Sequence, residues 1–202
     1  MPRFVVVGQK ATASGEFLPD DVPGTSGRLD VLLRCVRAAL LCSHGMRDDV
    51  VIDLVLGGGP RAPRVLRIDG GAARFIRPDE RSLATLAQKV LASRADDAAG
   101  GYVEAKPGIA LARGGVEVVL ASLAPAFPAF VLEEGGPDLR DAPDVGLEGA
   151  AFFVGDHLGF EAPVRARLEA HGARPLGLGP KSVHAEDAIA IVLNEIDRRR
   201  VR

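Results

Sequence analysis

Apolar residues along this chain fall into short unbroken runs separated by longer amphipathic stretches. RFVVVGQ, VVIDLVLGG, VLRIDGG, AFVLEEGG and AAFFVGD are runs of the first kind. Each is rich in Val, Ile, Leu or Phe and stops at a glycine or a polar turn, so each reads as a buried strand. GYVEAKPGIALARGG reads as two shorter strands broken at Pro107-Gly108, and PLGLG as a further strand-like segment. The stretches between carry helical spacing. Leu29, Leu32, Leu33, Val36, Leu40 and Leu41 mark the apolar side of a helix predicted over Gly27–His44, with Ser26 as its cap. A loop rich in Gly, Pro, Asp and Ser, ATASGEFLPDDVPGTSG, precedes it.

Pro78 and Asp79 open a second helix over Asp79–Ser93, striped by Leu83, Leu86, Val90 and Leu91. Gly115–Leu123 reads as a short helix, and EAPVRARLEAHG as one closed by Gly172. SVHAEDAIAIVLNEIDRRR reads as a long terminal helix, with Ser182 as its cap and arginines at its negative end. Strands alternate with helices almost throughout. That pattern predicts an α/β fold, a mostly parallel sheet flanked by helices, in one domain spanning residues 1–202. The one candidate linker is Arg94–Gly101.

Composition narrows the picture further. The chain has 202 residues, 47% apolar and 26% charged, enough to bury a substantial core. A net charge of −2 excludes a globally basic nucleic-acid binder but not a local basic face. Such a face is suggested by the arginines between Arg28 and Arg81; a solvated charged surface is the plainer alternative. No apolar run approaches the ~18 residues of a membrane helix. MPRFVVVG lacks a signal peptide's apolar stretch and cleavage site. Cys35 and Cys42, seven residues apart, would share one face of the predicted helix as reduced core thiols. These readings together predict a cytoplasmic protein.

The chemistry concentrates in the last third. Three apolar strands there each end in a small-residue turn: FVLEEGGPD, FFVGDHLGF and PLGLGPKSVH. Ligands of open α/β sheets bind beyond the carboxyl ends of strands, and glycine lets the backbone approach a flat ligand. Three such turns in one pocket would suit a purine, read by main-chain groups. GLGPKS is not a phosphate loop, because Pro180 separates Gly179 from Lys181; Gly57-Gly58-Gly59 is not a dinucleotide fingerprint. Asp156 and His157 either hold their turn, face a substrate or bind a metal. The two cysteines and four histidines lack zinc-site spacing, so no metal is expected.

FVVVGQKATASGEF, TSGRLDVLLRCVRAAL, RPDERS, KPGI, FVGDHLGF and LGLGPKSVHAEDAIAIVLNEIDRR occur in that order. The ordered set resembles the TrmY family of tRNA pseudouridine N1-methyltransferases over nearly the whole chain. The resemblance implies a SPOUT-type fold with a trefoil knot in about residues 125–202, S-adenosyl-L-methionine bound in the knot, and a homodimer. The implied cofactor residues are Leu132, Gly155, Leu176, Gly177, Leu178, Gly179, Pro180, Ser182, Val183 and Ala188. Many relatives carry a cysteine where this chain has Ala188.

The implied reaction is methylation of N1 of a pseudouridine, with tRNA as partner and no DNA. Asp30 and Arg28, at a helix start after a polar loop, are the candidate catalytic residues. A carboxylate would take the N1 proton, or a cation would favour the anion. The plainer reading makes Asp30 a first-turn helix carboxylate and Arg28 its surface neighbour. A related methyltransferase acting on rRNA, and a non-catalytic knotted RNA- or nucleoside-binding dimer, are the alternatives.

Overall fold

Val, Phe and Leu runs pair into one eight-stranded sheet in the computed structural model, which describes residues 1–97, 100–141 and 146–201. In chain order the elements are β1 (Arg3–Thr12), α1 (Val22–Thr25), α2 (Leu29–Leu40), β2 (Leu41–Cys42), β3 (Gly45–Met46), β4 (Val51–Gly58) and β5 (Arg64–Asp69). There follow α3 (Glu80–Leu91), β6 (Val103–Lys106), β7 (Ile109–Arg113), α4 (Val116–Ala121), β8 (Ala129–Leu132), β9 (Ala151–Gly155), α5 (Ala162–Ala170), β10 (Arg174–Leu176) and α6 (Ala185–Arg200). The sheet order is β10-β8-β9-β1-β4-β5-β7-β6.

The mostly parallel expectation holds, with the antiparallel part confined to one end of this sheet. β10, β8, β9, β1 and β4 run parallel; β5, β7 and β6 continue it antiparallel. The connections explain the split. β4 and β5 are joined by a short loop, as are β6 and β7, and a short loop can only reverse a strand. α1 and α2 separate β1 from β4, and α5 separates β9 from β10, whereas residues 133–150 join β8 to β9 without an α-helix among the described residues.

Alternation along β1 builds two core layers. Phe4 and Val6 face α2, α3 and α6, while Val5 and Val7 face α4 and α5. Phe130, Phe152 and Phe4 stack across β8, β9 and β1, with ring centroids 5.6 and 5.4 Å apart. At about 25 cal/mol per Å² of apolar surface, buried aromatic rings of this kind are among the largest single contributions to the core.

Four local expectations are corrected. The first long helix stops at Leu40 rather than His44, because Leu41 turns extended and pairs with Met46 in a small hairpin. Cys42 therefore leaves the helix and is exposed, whereas Cys35 is buried. Burial pushes the Cys35 thiol well above its ordinary value. Ser182 does not cap α6; His184 is the cap residue, without a side-chain bond, and Glu186 and Asp187 supply the first-turn negative charge. Ser26 is likewise not the N-cap of α2, which is Arg28, but it serves the first turn from just outside: its Oγ accepts from the Leu29 N–H at 3.1 Å. Arg94–Gly101 includes residues 98 and 99, outside the described set. Its first part is anchored, since Asp96 is fully buried against Arg64.

Candidate cofactor and substrate cleft

β1, β8, β9 and β10 all point the same way, so their carboxyl ends share one edge. The turns that follow the last three open onto a cleft of about 790 Å³. Leu132, Gly155, Leu178, Gly179, Ser182, Val183 and Ala188 all line it, as does Arg28. Leu176 is buried behind the cleft, at the end of β10. Pro180 lies on an adjoining depression with Gly135, Gly136 and Asp138. The three separate turns thus form one site.

The turn after β9 shows what Gly-Asp-His-x-Gly does. A Cβ on Gly155 would stand 2.8 Å from the backbone of Gly159, so only glycine lets the turn fold back on its strand. Gly159 itself has φ +72°, in the left-handed region. Asp156 is the clamp. Its Oδ2 accepts from the Gln9 N–H at 3.0 Å and its Oδ1 from the Leu158 N–H at 2.8 Å. Gln9 answers by donating from Nε2 to the Leu158 and Gly159 carbonyls. Asp156 therefore ties the end of β1 to the cleft wall. With both its oxygens taken by backbone N–H groups, the metal reading loses its carboxylate. His157 is exposed and lines the cleft.

The third turn rests on the first. The Gly177 N–H donates to the Pro137 carbonyl, and the Gly177 carbonyl accepts from the Leu139 N–H, both at 2.8 Å. A Cβ on Gly177 would lie 2.4 Å from the Gly136 carbonyl oxygen. Residues 133–139 and 176–177 therefore lie backbone against backbone, with Asp138 and Gly177 bridged in parallel, a contact only a bare Cα permits.

The opposite wall is charged. Arg28 has φ 69° and ψ 33°, an uncommon backbone for a non-glycine residue. Its Nε and Nη2 fork onto Oδ1 and Oδ2 of Asp30 at 3.0 and 3.2 Å. Arg34, one turn on, donates to Oδ2 of Asp30 at 2.9 Å and to Oε1 of Glu186 at 2.8 Å. Asp30 is 2% exposed and does not line the cleft. Burial alone would raise its carboxyl, but the hydrogen bonds and charges of Arg28 and Arg34 outweigh that and hold it below its ordinary value. Glu186 follows the same balance, with Arg34 as the dominant opposing partner. The result is a clamped pair of guanidiniums at the cleft rather than a free base.

The remaining arginines do not form one face. Arg64 is fully buried, Arg67 forks onto the buried Asp53, Arg61 pairs with Asp97 and Arg47 with Asp197. Arg74, Arg77 and Arg81 are exposed at the other end of the sheet. Arg165, Lys181 and His184 also line the cleft and were not singled out from sequence. Only their positions beside the second and third turns hinted at them.

The lining fits a nucleoside-sized cofactor on one observation of its own: glycine turns packed on backbone at Gly155 and Gly177, with apolar Leu132, Leu178 and Ala188 facing the same space. The volume falls within the range of ligand clefts.

Comparison with known proteins agrees in length and order. A family model described as "Putative SAM-dependent RNA methyltransferase" matches residues 1–201. A protein of Methanococcoides burtonii named tRNA (pseudouridine(54)-N(1))-methyltransferase is 36% identical over 200 residues, 98% of this chain and 96% of that protein. One of Halobacterium salinarum with the same name is 38% identical over 197 residues, again 98% and 96%. Among solved structures, Archaeoglobus fulgidus Nep1 bound to S-adenosylhomocysteine superposes with a TM-score of 0.64 at 15% identity, covering 100% of this chain and 99% of that one. At that identity the likeness concerns the fold.

Proposed function

We propose a reaction from one premise: the chain belongs to the family of SAM-dependent RNA methyltransferases. The protein methylates N1 of a pseudouridine in tRNA, at position 54, the position its relatives' names carry. The observation that carries this reading is the meeting of the three strand-end turns with Arg28 and Arg34 in one cleft.

S-adenosyl-L-methionine, held by Leu132, Gly155, Leu178, Gly179, Ser182, Val183 and Ala188 with Leu176, Gly177 and Pro180 behind them, supplies an electrophilic methyl group. The chain's own task is to bring the nucleophile into line and to exclude water. Pseudouridine is joined to ribose through carbon, so its N1 keeps a hydrogen. Arg28 and Arg34 would favour the ring as its N1 proton passes to solvent water, by placing two cations beside the developing charge. Asp30 holds both guanidiniums in place, and Glu186 fixes Arg34 from α6. A target base leaves its stack to enter such a cleft.

The reading extends to architecture. About residues 125–202 form the trefoil knot; the close backbone packing of 133–139 on 176–177 is what supports it. The protein is a homodimer of single-domain chains acting in the cytoplasm. The terminal helix gives the dimer little support: Ile189, Val192, Leu193 and Ile196 are buried within the chain, and of its Ile, Leu and Val side chains only Ile191 stays exposed. Leu158, Val183, Ile191 and Val201 are the exposed large apolar side chains of this half among the described residues. No helix among the described residues is long and apolar enough to cross a membrane.

The test compares matched tRNA transcripts carrying uridine or pseudouridine at the target position, with labelled S-adenosyl-L-methionine and nucleoside mass spectrometry. Label confined to the pseudouridine transcript is expected. Equal labelling of both would overturn the N1 assignment, and no label in either transcript together with label in a parallel reaction supplied with rRNA would move the substrate to the ribosome.

A further inference from the structure

Phe75 is 97% exposed, the most exposed large apolar side chain among the described residues. Its backbone lies at φ 61°, which a bulky residue rarely adopts. An exposed aromatic ring on an uncommon backbone gains nothing for the fold, so its presence directs attention to a ligand.

The loop that carries it is firmly seated. The Ala73 N–H donates to the Asp69 carbonyl at 2.8 Å, and the Gly71 N–H to the Asp69 side chain at 2.9 Å. Arg74 donates from Nη1 to the carbonyls of Gly71 and Ala73 at 3.0 and 2.9 Å. Ala73 is fully buried, and the Gly108 turn of the β6–β7 hairpin packs directly on its backbone. The ring therefore stands on a rigid base.

Cations surround it. A concavity of about 380 Å³ beside the ring is lined by Phe75, Arg77, Arg81, Lys89 and Lys106, with Ser82, Thr85 and Leu86 as its floor and no carboxylate. Asp20, Asp79, Glu80 and Glu104 are neighbours in the chain or fold but do not line it, and Glu104 accepts from the Gly108 N–H at 2.9 Å. Asp79 accepts from the Ser82 N–H at 2.8 Å as the α3 cap. Asp20 reaches Arg81 at 3.1 Å, but both side chains are about three-quarters exposed, so solvent and salt screen the pair.

One flat apolar face ringed by basic side chains matches an unpaired nucleotide, whose base stacks while its phosphates meet the cations. A protein partner would need a wider apolar patch than one ring supplies. We propose that Phe75 is a stacking platform for an unpaired nucleotide of the substrate RNA, and that Arg77, Arg81, Lys89 and Lys106 bind the phosphates beside it.

This site is distinct from the cleft. β5 ends at Asp69, paired with Val51 at the start of β4, whereas Gly155 at the cleft pairs with Val7. Val7 pairs in turn with Val55, so at about 3.3 Å per residue the two ends are offset by roughly 13 Å along the strands, and three strand spacings of about 4.8 Å further separate β9 from β5. The RNA is thus held at two points, one where chemistry occurs and one far from it. The inference rests on the RNA substrate proposed above.

The experiment measures binding of a full tRNA transcript to the whole protein by fluorescence anisotropy across salt concentrations. Phe75→Ala is expected to raise Kd about ten-fold, the scale of one lost base stack, with little change in salt slope. Phe75→Trp should bind as well as the parent. Arg77→Ala with Lys106→Ala should flatten the slope by about two units. Unchanged tRNA affinity in Phe75→Ala would overturn the proposal, and a partner other than RNA would then have to be sought for the ring. The same preparations are assayed for methyl transfer. A parent protein that methylates pseudouridine while Phe75→Ala binds normally sinks this inference alone. A parent that binds through Phe75 but transfers no methyl group sinks the proposed reaction alone.

Discussion

Arg34 and Glu186 meet in the wall of the cleft, Nε to Oε1 at 2.8 Å, and so join α2 to α6. The same guanidinium reaches Asp30. The wall that carries the cations is therefore bonded to the first turn of the helix that carries Ala188, and substrate and cofactor sides are held as one frame.

This frame gives Asp30 a role that can be separated from proton transfer. Its carboxyl sits below the ordinary range because two arginines hold its charged form. Single-turnover rates of the parent should therefore show no limb assignable to Asp30 between about pH 5 and 9. Asp30→Asn should lower both turnover and RNA affinity, since Arg28 and Arg34 lose their common anchor. A limb near neutral pH that disappears in Asp30→Asn would establish the carboxylate as the base instead.

Gly155→Ala and Gly155→Val should both weaken cofactor binding, valine by well over ten-fold. The first clash is with the Gly159 backbone, so even one methyl group must push the 156–159 turn. Calorimetric titration with S-adenosylhomocysteine decides the matter. Parent-like affinity in a folded valine variant would place the cofactor elsewhere.

Asp96 and Arg64 form a fully buried pair, Oδ1 to Nη2 at 2.6 Å, and Arg64 also donates to the carbonyls of Ala13, Leu91 and Ser93. Removing one partner strands the other charge in the core. Asp96→Ala should cost about 3–5 kcal/mol of stability. Urea denaturation measures it, and a loss below about 1 kcal/mol would mean that water replaces the carboxylate.

Acid should loosen the protein through the same groups. Asp30, Asp96 and Glu186 all have folded-state values lowered from their ordinary ones, each because arginine outweighs burial. In acid the unfolded chain binds more protons at these positions than the folded one. Their stabilisation is thus complete above about pH 5 and drains away as pH falls through the lowered values. The thermal midpoint should hold from pH 7 to about pH 5 and then drop. Asp96→Asn should shallow that drop; a midpoint flat to about pH 3 would contradict the argument.

Strand runs and helix stripes were legible because burial imposes a period that sequence records. AFVLEEGG, AAFFVGD and the Leu83–Leu91 stripe all take the structure their spacing implies. The three turns were legible too, since glycine after an apolar run marks backbone contact. Hidden from view were relations across long separations. Nothing in RVLRID marks Arg64 as buried and Arg67 as half-buried, because each is licensed by a carboxylate elsewhere, Asp96 and Asp53. Equally, a tally of arginines cannot separate inward-facing from outward-facing ones. The end of the first helix was missed because Leu41 keeps the helical stripe while its backbone turns to pair with Met46.

The place of β1 in the sheet has a consequence for synthesis. Its partner on one side, β4, follows within the first third of the chain, but its partner on the other, β9, begins only at Ala151. A ribosome adding roughly 5–20 residues per second therefore leaves one edge of β1 open for several seconds after the other has closed. That edge is apolar on both faces, Phe4 and Val6 on one and Val5 and Val7 on the other. A nascent strand in that condition is a template for pairing with any neighbouring chain. Expression yield should accordingly depend on translation speed and chaperone supply more than the stability of the finished protein would suggest.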